Sequence, residues 1–408
     1  MYRLIFTKDA HTMKRRALSL LVPLALTLAA SAVVAQPKEI RIAHIMGKTG
    51  ALEAYAKQSA VGFMMGLDYA TGGTMMVAGK KLVVIEKDDQ GKPDVGKTLL
   101  TQAYADDKVD LAVGTTSSAV ALAMLPVAEE AKKILLVEPA VADAITGDKW
   151  NKYIFRTGRS SSQDAIANAA AFDKEGLTIA TLAQDYAFGR DGIKAFKEAF
   201  KKAKIVHEEY VPMATTDITP AAQRIFDKLK GLPGRKVVVV AWAGNIAIPF
   251  KMLDMEPQRF GIEIATGGNI LPAMVQYKRI PGMEGATYYY FGIPKNPVNE
   301  WLVANHYSKY KAPPDFFTAG GMSAGIAVVE ALKKTKGESS SDKLIAAMEG
   351  MSFETPKGKM TFRKEDHQAM QDMFHFKIKV DPAFDWGVPE LVRVIKAEEM
   401  VIPIRNKR

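Results

Sequence analysis

The chain has 408 residues, 48% hydrophobic and 25% charged, with 31 Gly, 20 Pro and no Cys. That balance excludes disordered, collagen-like and coiled-coil chains, and the length suits two domains better than one. Without cysteine there is no disulfide scaffold, no Cys-ligated zinc or iron–sulfur site and no thiol nucleophile.

The basic cluster Lys14, Arg15 and Arg16 precedes an apolar stretch from Ala17 to Ala30 and the small-residue run Ser31-Ala32-Val33-Val34-Ala35. Charged, then apolar, then small is the layout of a secretory signal peptide, with cleavage expected after Ala35. Met13 serves this signal as well as Met1 does. The alternative is a membrane anchor over Ala17–Pro37, which Pro23 and the small residues at its end oppose. No later run is apolar enough for a transmembrane helix. Removing residues 1–35 takes five basic and one acidic residue from the 55 Lys+Arg and 45 Asp+Glu, leaving a net charge of +6. With so modest an excess and no aromatic-interleaved basic stripe, nucleic acid is not an expected partner.

The rest alternates strand and helix. Strands are expected at Glu39–Ile45, Lys81–Ile85, Leu111–Val113 and Ile134–Val137, with helices at Tyr55–Tyr69, Asp94–Ala105 and Ala119–Ala131 between them. Ile154–Arg156 closes this first block. The pattern then restarts: helix Gln163–Phe172, strand Thr178–Leu182, helix Gly192–Lys202, strand Ile205–Val211, helix Pro220–Lys230, strand Val237–Ala241, helix Ile246–Met255, strand Ile262–Ala265. Two successive blocks of βα units favour parallel sheets with helices on both faces. After Pro281 come a tyrosine-rich strand at Thr287–Phe291 and helices at Val298–Tyr310, Phe317–Lys333 and Asp342–Met348. The tail from Phe353 to Ile402 reads as short strands and turns. No repeat of 20–50 residues is evident.

Two motifs carry chemistry on paper only. Gly91–Thr98 (GKPDVGKT) fits the phosphate-loop spacing and lies between strand and helix. That loop works by pointing backbone N–H groups at phosphate; Pro93 removes a donor and Asp94 brings negative charge, so a solvated turn is expected. Gly321-Met322-Ser323-Ala324-Gly325 fits the G-x-S-x-G of serine hydrolases. That motif needs a sharp strand-to-helix turn, and Lys311–Asp315 before it is no strand. Asp315 reads as a helix cap, and the glycines as close helix packing. Of the six histidines (11, 44, 207, 306, 367 and 375), none shows metal-ligand spacing. No metal or other cofactor is expected.

Several segments in order resemble the branched-chain amino-acid-binding proteins of bacterial ABC importers, the type I periplasmic binding proteins. They are Ile40-Arg41-Ile42-Ala43 with Thr49-Gly50-Ala51-Leu52, Gly114-Thr115-Thr116-Ser117-Ser118, Pro126–Glu130, Phe155-Arg156-Thr157, Asp185–Gly189, and Asp217 ahead of Pro220. The resemblance runs from about residue 38 to 395, and it is the ordered set that is specific. It implies an α/β fold of two doubly wound parallel-sheet lobes joined by a three-crossover hinge, with the ligand in the cleft. One lobe would comprise 36–155 with about 284–350, the other 156–283 with about 351–408. It also implies a monomer in the periplasm, no enzymatic activity, and an ABC permease in the inner membrane as partner.

Ligands of such sheets bind beyond the carboxyl ends of the strands, where helix N-termini offer N–H groups to an anion. Ser117 and Ser118 stand where Leu111–Val113 gives way to the next helix, and there a serine hydroxyl can meet a carboxylate or simply cap the helix. By resemblance, Ala140 and Ala142 fall at a backbone carbonyl and a threonine hydroxyl contact, Tyr55 at an aromatic wall, Phe188 and Trp242 at second-lobe aromatic contacts. Gly267 falls near the acid that holds the ligand ammonium; Glu263 lies close in sequence as the alternative acid. Ala142 lacks the hydroxyl and Gly267 the carboxylate, and a buried ammonium without partners is costly. A carboxylate on an apolar or aromatic body fits these residues, leaving hydrophobic amino acids and aromatic acids both open. The competing readings are an exported serine hydrolase using Ser323 and a sensory ligand-binding module.

Overall fold

The computed structural model describes residues 39–268 and 270–407. The expected signal segment and its cleavage point lie outside them. Among the described residues no helix is long and apolar enough to cross a membrane.

The first sheet holds β1 (Glu39–Met46), β2 (Met76–Val77), β3 (Lys80–Asp88), β4 (Leu111–Gly114), β5 (Ile134–Val137) and β6 (Ile154–Arg156), in the order β2-β3-β1-β4-β5-β6. All neighbours run parallel except the β2–β3 hairpin. Helices α1 (Glu53–Thr71), α2 (Pro93–Ala105) and α3 (Ser118–Ala131) connect the strands. β4 and β5 are buried at every residue, which accounts for their unbroken apolar runs.

The chain then crosses to α4 (Ser161–Phe172), opened by a reciprocal cap between Ser160 and Gln163. The second sheet is fully parallel: β7 (Leu177–Gln184), β8 (Lys204–Val211), β9 (Arg235–Ala241) and β10 (Ile262–Ala265), ordered β10-β9-β7-β8. Around it lie α5 (Ala187–Ala199), α6 (Thr219–Leu229), α7 (Ala247–Phe250) and α8 (Leu271–Tyr277). α7 is short: the chain tightens to a 3-10 turn over Lys251–Met255 that ends at Glu256 with φ +53°, where a longer helix was expected. Neither β2 nor α8 was expected.

The remaining elements are β11 (Glu284–Thr287), α9 (Pro297–Tyr310), α10 (Phe316–Lys334), α11 (Ser341–Met348), β12 (Ser352–Thr355), β13 (Gly358–Phe362), β14 (Ala369–Met370), β15 (Met373–Val380) and β16 (Gly387–Ile395). The tyrosine-rich strand sits earlier than expected. Tyr288 and Tyr289 leave the sheet because their buried phenols find partners outside it: Tyr288 donates to the Phe316 carbonyl and Tyr289 to Asn299 Oδ1, both at 2.8 Å. β11 pairs antiparallel with β15, and β15 with β16. An expected lobe boundary at 284 would therefore divide strands that share a sheet. The boundary at 351 is displaced likewise. β12, β13 and β14 form their own small sheet, whose Phe362 meets Phe155 of β6 edge-on at 5.3 Å, and Arg156 bridges to Gln368. The chain thus passes three times between the two large sheets, in the two-lobe manner of the periplasmic binding fold.

Helices α1 and α10 pack at backbone distance. A Cβ on Gly321 would lie 2.0 Å from the Ser59 carbonyl oxygen, one on Gly62 2.0 Å from that of Thr318, and one on Gly325 2.5 Å from that of Phe63. α10 is buried along nearly its whole length. Ser323 is fully buried within it and donates to the Ala319 carbonyl at 2.8 Å, so the hydrolase reading falls. The glycines of that motif serve helix contact. The phosphate-loop match is equally structural: a Cβ on Gly96 would strike Val120 of α3 at 2.3 Å, and Thr98 bonds its own helix at Asp94.

Gly321→Val is expected to cost about 3 kcal/mol, because neither helix backbone can withdraw. Gly231→Ala, where an added Cβ meets nothing within 4 Å, is expected to stay within about 0.5 kcal/mol. Denaturant midpoints of the two variants check the contrast.

Candidate functional site

The cleft is built where β4 and β5 end. At Gly114 φ is +153°, and a Cβ would lie 2.0 Å from the Ile45 carbonyl oxygen, so only glycine lets β4 leave β1 here. Thr115 then donates to the buried Asp89 carboxylate. Thr116 Oγ1 accepts from Gly47 N at 3.4 Å. Ser117 is the extended residue before α3, and its side chain caps nothing.

Ser118 opens α3, and its Oγ accepts from both Val141 N and Ala142 N at 3.2 Å. A hydroxyl has one hydrogen and two lone pairs. With both acceptor sites used inside the protein, the Ser118 hydrogen is the part left to bond an incoming oxygen. The same two bonds pin the loop after β5 against the start of α3, where unpaired helix N–H groups favour an anion.

Ser118 lines a cavity of about 70 Å3 together with Tyr55, Thr116, Ala140, Arg159, Phe188, Trp242 and Phe317. A second cavity of about 90 Å3 adjoins it, sharing Arg159, Phe188, Trp242, Thr266 and Gly268, and reaching Asp164 and Gly267. The expected residues Tyr55, Ser118, Ala140, Phe188 and Trp242 thus meet around one space, and Gly267 borders the next. Ser117 and Ala142 stand apart from both. The Ala142 carbonyl accepts instead from Arg156 Nη1 at 2.7 Å. Glu263 is also remote: it pairs with Arg235 at 2.8 Å, at the end of β10 where that strand begins.

Sequence reasoning missed Arg159. Its Nε donates to both oxygens of Asp164 at 3.0 Å, and its guanidinium lies 4.6 Å from the Phe316 ring centre and 5.3 Å from that of Tyr288. Among the described residues its hydrogen bonds leave from Nε, and the planar Nη pair has the geometry that suits a carboxylate. Burial pushes the Asp164 carboxyl up, and Arg159 opposes that shift. Tyr55 is also not simply a wall. Its hydroxyl accepts from Gly244 N at 2.9 Å and donates to Gly244 O at 3.2 Å, tying α1 to the loop after β9. Its ring stacks on Phe317 at 4.5 Å, and burial pushes its phenol up to about 12.

Beneath the cavity Glu138 is buried, accepting from Thr157 Oγ1 at 3.1 Å. Burial raises its carboxyl, and Lys357 opposes that shift. Burial lowers the Lys357 ammonium to about 8; it lies 4.4 Å from the Tyr288 ring centre.

Residues 39–383 match the periplasmic binding protein family. The chain is 65% identical to a solved ABC-type branched-chain amino acid transporter from Rhodopseudomonas palustris CGA009, covering 91% of this chain and 100% of that one with a TM-score of 0.80. It is 29% identical to a solute-binding protein of an ABC transporter from Rhodopseudomonas palustris BisB5, solved in complex with 3,4-dihydroxybenzoic acid, over 88% and 98% of the chains with a TM-score of 0.77. A curated Leu/Ile/Val-binding protein homolog 6 from Brucella melitensis biotype 1 is 24% identical over 303 residues, 72% of this chain and 76% of that protein. Family match and two-lobe fold agree: the chain belongs to the periplasmic binding proteins of ABC transporters, which bind solutes and are not enzymes.

Proposed function

We propose that this protein captures a small hydrophobic or aromatic carboxylate in the periplasm by closure of its two lobes and delivers it to an ABC permease in the inner membrane. The observation that carries the reading is the convergence of the Ser118 and Thr116 hydroxyls and the Arg159 guanidinium on one cavity walled by Tyr55, Phe188, Trp242 and Phe317. Charge-assisted hydrogen bonds from such a set suit a carboxylate, and the rings suit an apolar or aromatic body.

An aromatic acid fits better than an amino acid. The carboxylate bordering these cavities among the described residues is Asp164, and Arg159 already occupies both its oxygens. An α-ammonium would have to compete with a guanidinium for it. The relative solved with 3,4-dihydroxybenzoic acid supports the same choice.

Closure is carried by bonds across the cleft. Besides Tyr55 and Gly244, Ala144 N donates to Asp191 Oδ2 of α5 at 3.2 Å. Arg405 pairs with Glu198 of α5 and lies 3.9 Å from Asp143. A ligand that completes the cleft stabilises this arrangement by mass action.

Calorimetry with benzoate, benzamide and leucine tests the reading. Benzoate is expected to bind and raise the melting temperature, benzamide to bind far more weakly, and leucine to trail benzoate. Folded protein that binds neither leucine nor an aryl carboxylate, benzoate and cinnamate both tried, overturns the proposal. Arg159→Gln is expected to cost about 2–3 kcal/mol of carboxylate binding, roughly 30- to 150-fold, and Ser118→Ala about 1 kcal/mol. Tyr55→Phe acts on closure: benzoate and benzamide should weaken by the same factor, roughly fivefold, leaving their ratio unchanged. A changed ratio would place Tyr55 on the head group instead.

A further inference from the structure

We infer that the ligand extends beyond the first cavity, past Phe188 and Trp242, into the second as an apolar annex, so that the preferred substrate is an elongated aryl acid whose carboxylate is held away from its ring. The inference rests on the carboxylate-capture reading above and adds the length of the body.

Volume gives the first argument. The cavity beside Ser118 measures about 70 Å3 and its neighbour about 90 Å3. An apolar cavity that holds benzene measures about 150 Å3. Neither space alone is that large, so a ring does not fit beside Ser118 within the first; a short carboxylate-bearing chain does, and it carries the ring on into the second and the room left open at Gly192. The two meet along shared walls, Phe188 and Trp242, with Arg159 and Thr266 at their edge.

The lining gives the second. Phe172, Phe188 and Phe196 bring three rings to the annex, Val239, Ala241 and Ala265 supply its small apolar surface, and its charged groups are the mutually paired Arg159 and Asp164. The rings and aliphatic side chains of such walls gain from an aromatic or aliphatic occupant.

Gly192 gives the third. It lies in the middle of α5, where glycine is a poor helix former. Gly62 and Gly66 of α1 and Gly321 and Gly325 of α10 are demanded by backbone contact, and Gly320 by the Glu138 side chain. Gly192 is not: a Cβ placed there meets nothing nearer than the Ala241 Cβ at 3.9 Å. It borders the annex, and what its missing side chain provides is space.

The test compares benzoate with cinnamate, whose carboxylate stands two carbons from the ring, by calorimetry on the full mature chain and on Gly192→Leu and Gly192→Ala. In the unsubstituted protein cinnamate is expected to bind at least tenfold tighter than benzoate. In Gly192→Leu the cinnamate-to-benzoate affinity ratio should fall at least tenfold, and in Gly192→Ala by about twofold in the same direction. The alanine variant carries the test if the leucine variant melts early. Benzoate binding as tightly as cinnamate, or a ratio that neither substitution moves, overturns the annex and leaves carboxylate capture standing. Absence of binding by benzoate, cinnamate and leucine alike overturns capture itself.

Discussion

The site depends on how one hydroxyl is used. Ser118 Oγ accepts from two consecutive backbone N–H groups of the loop after β5, and this fixes the loop against the first turn of α3. Two backbone bonds run the same way: Glu138 N donates to the Gly114 carbonyl and Ala140 N to that of Thr115. Four bonds therefore join the ends of two neighbouring strands into one rigid rim. With both lone pairs of Ser118 spent on that rim, its single hydrogen is what the group has left to offer a partner. One hydroxyl thus both supports the rim and borders the cavity.

A second constraint holds the lobes at the hinge. Arg156, fully buried at the end of β6, donates to Gln368 Oε1 at 2.5 Å, to the Ala142 carbonyl at 2.7 Å and to Thr146 Oγ1 at 2.6 Å. Burial lowers its guanidinium to about 10 even so. Every bond it makes reaches a different stretch of chain, and Gln368 passes the connection on to the Gly158 carbonyl of the first crossover. A buried guanidinium is tolerable only when fully hydrogen-bonded, so this cluster holds its geometry as a unit. The conspicuous arginine of the Phe155-Arg156-Thr157 segment is thus a keystone of the hinge, and the arginine that borders the cavity is its less conspicuous neighbour Arg159.

What was legible in the sequence followed from periodicity and burial. The runs Leu111–Val113 and Val237–Ala241 announced buried parallel strands, and the restart after Arg156 announced a second α/β block. The cleft position of Ser118, Phe188 and Trp242 came with the resemblance, since those residues sit just past strand ends. Arg159 was hidden because its role is made by residues distant in sequence: Asp164 in the first turn of α4 orients it and Phe316 of α10 supports its face. Tyr288–Phe291 looked like strand because tyrosine suits strands, but its phenols are claimed by α9 and by the start of α10, which no local pattern reports. Ala142 and Gly267 were read for side chains they lack; the first offers its carbonyl to Arg156, and the second packs its Cα toward the Ala286 carbonyl.

Ser118 and Thr116 border the cavity from α3 and the turn before it, in one lobe, whereas Phe188, Gly192 and Trp242 border it from α5 and the loop after β9, in the other. The two sets lie far apart in the gene. Descendants of this chain can reshape the second wall by point changes while the hydroxyls of the first stay as they are.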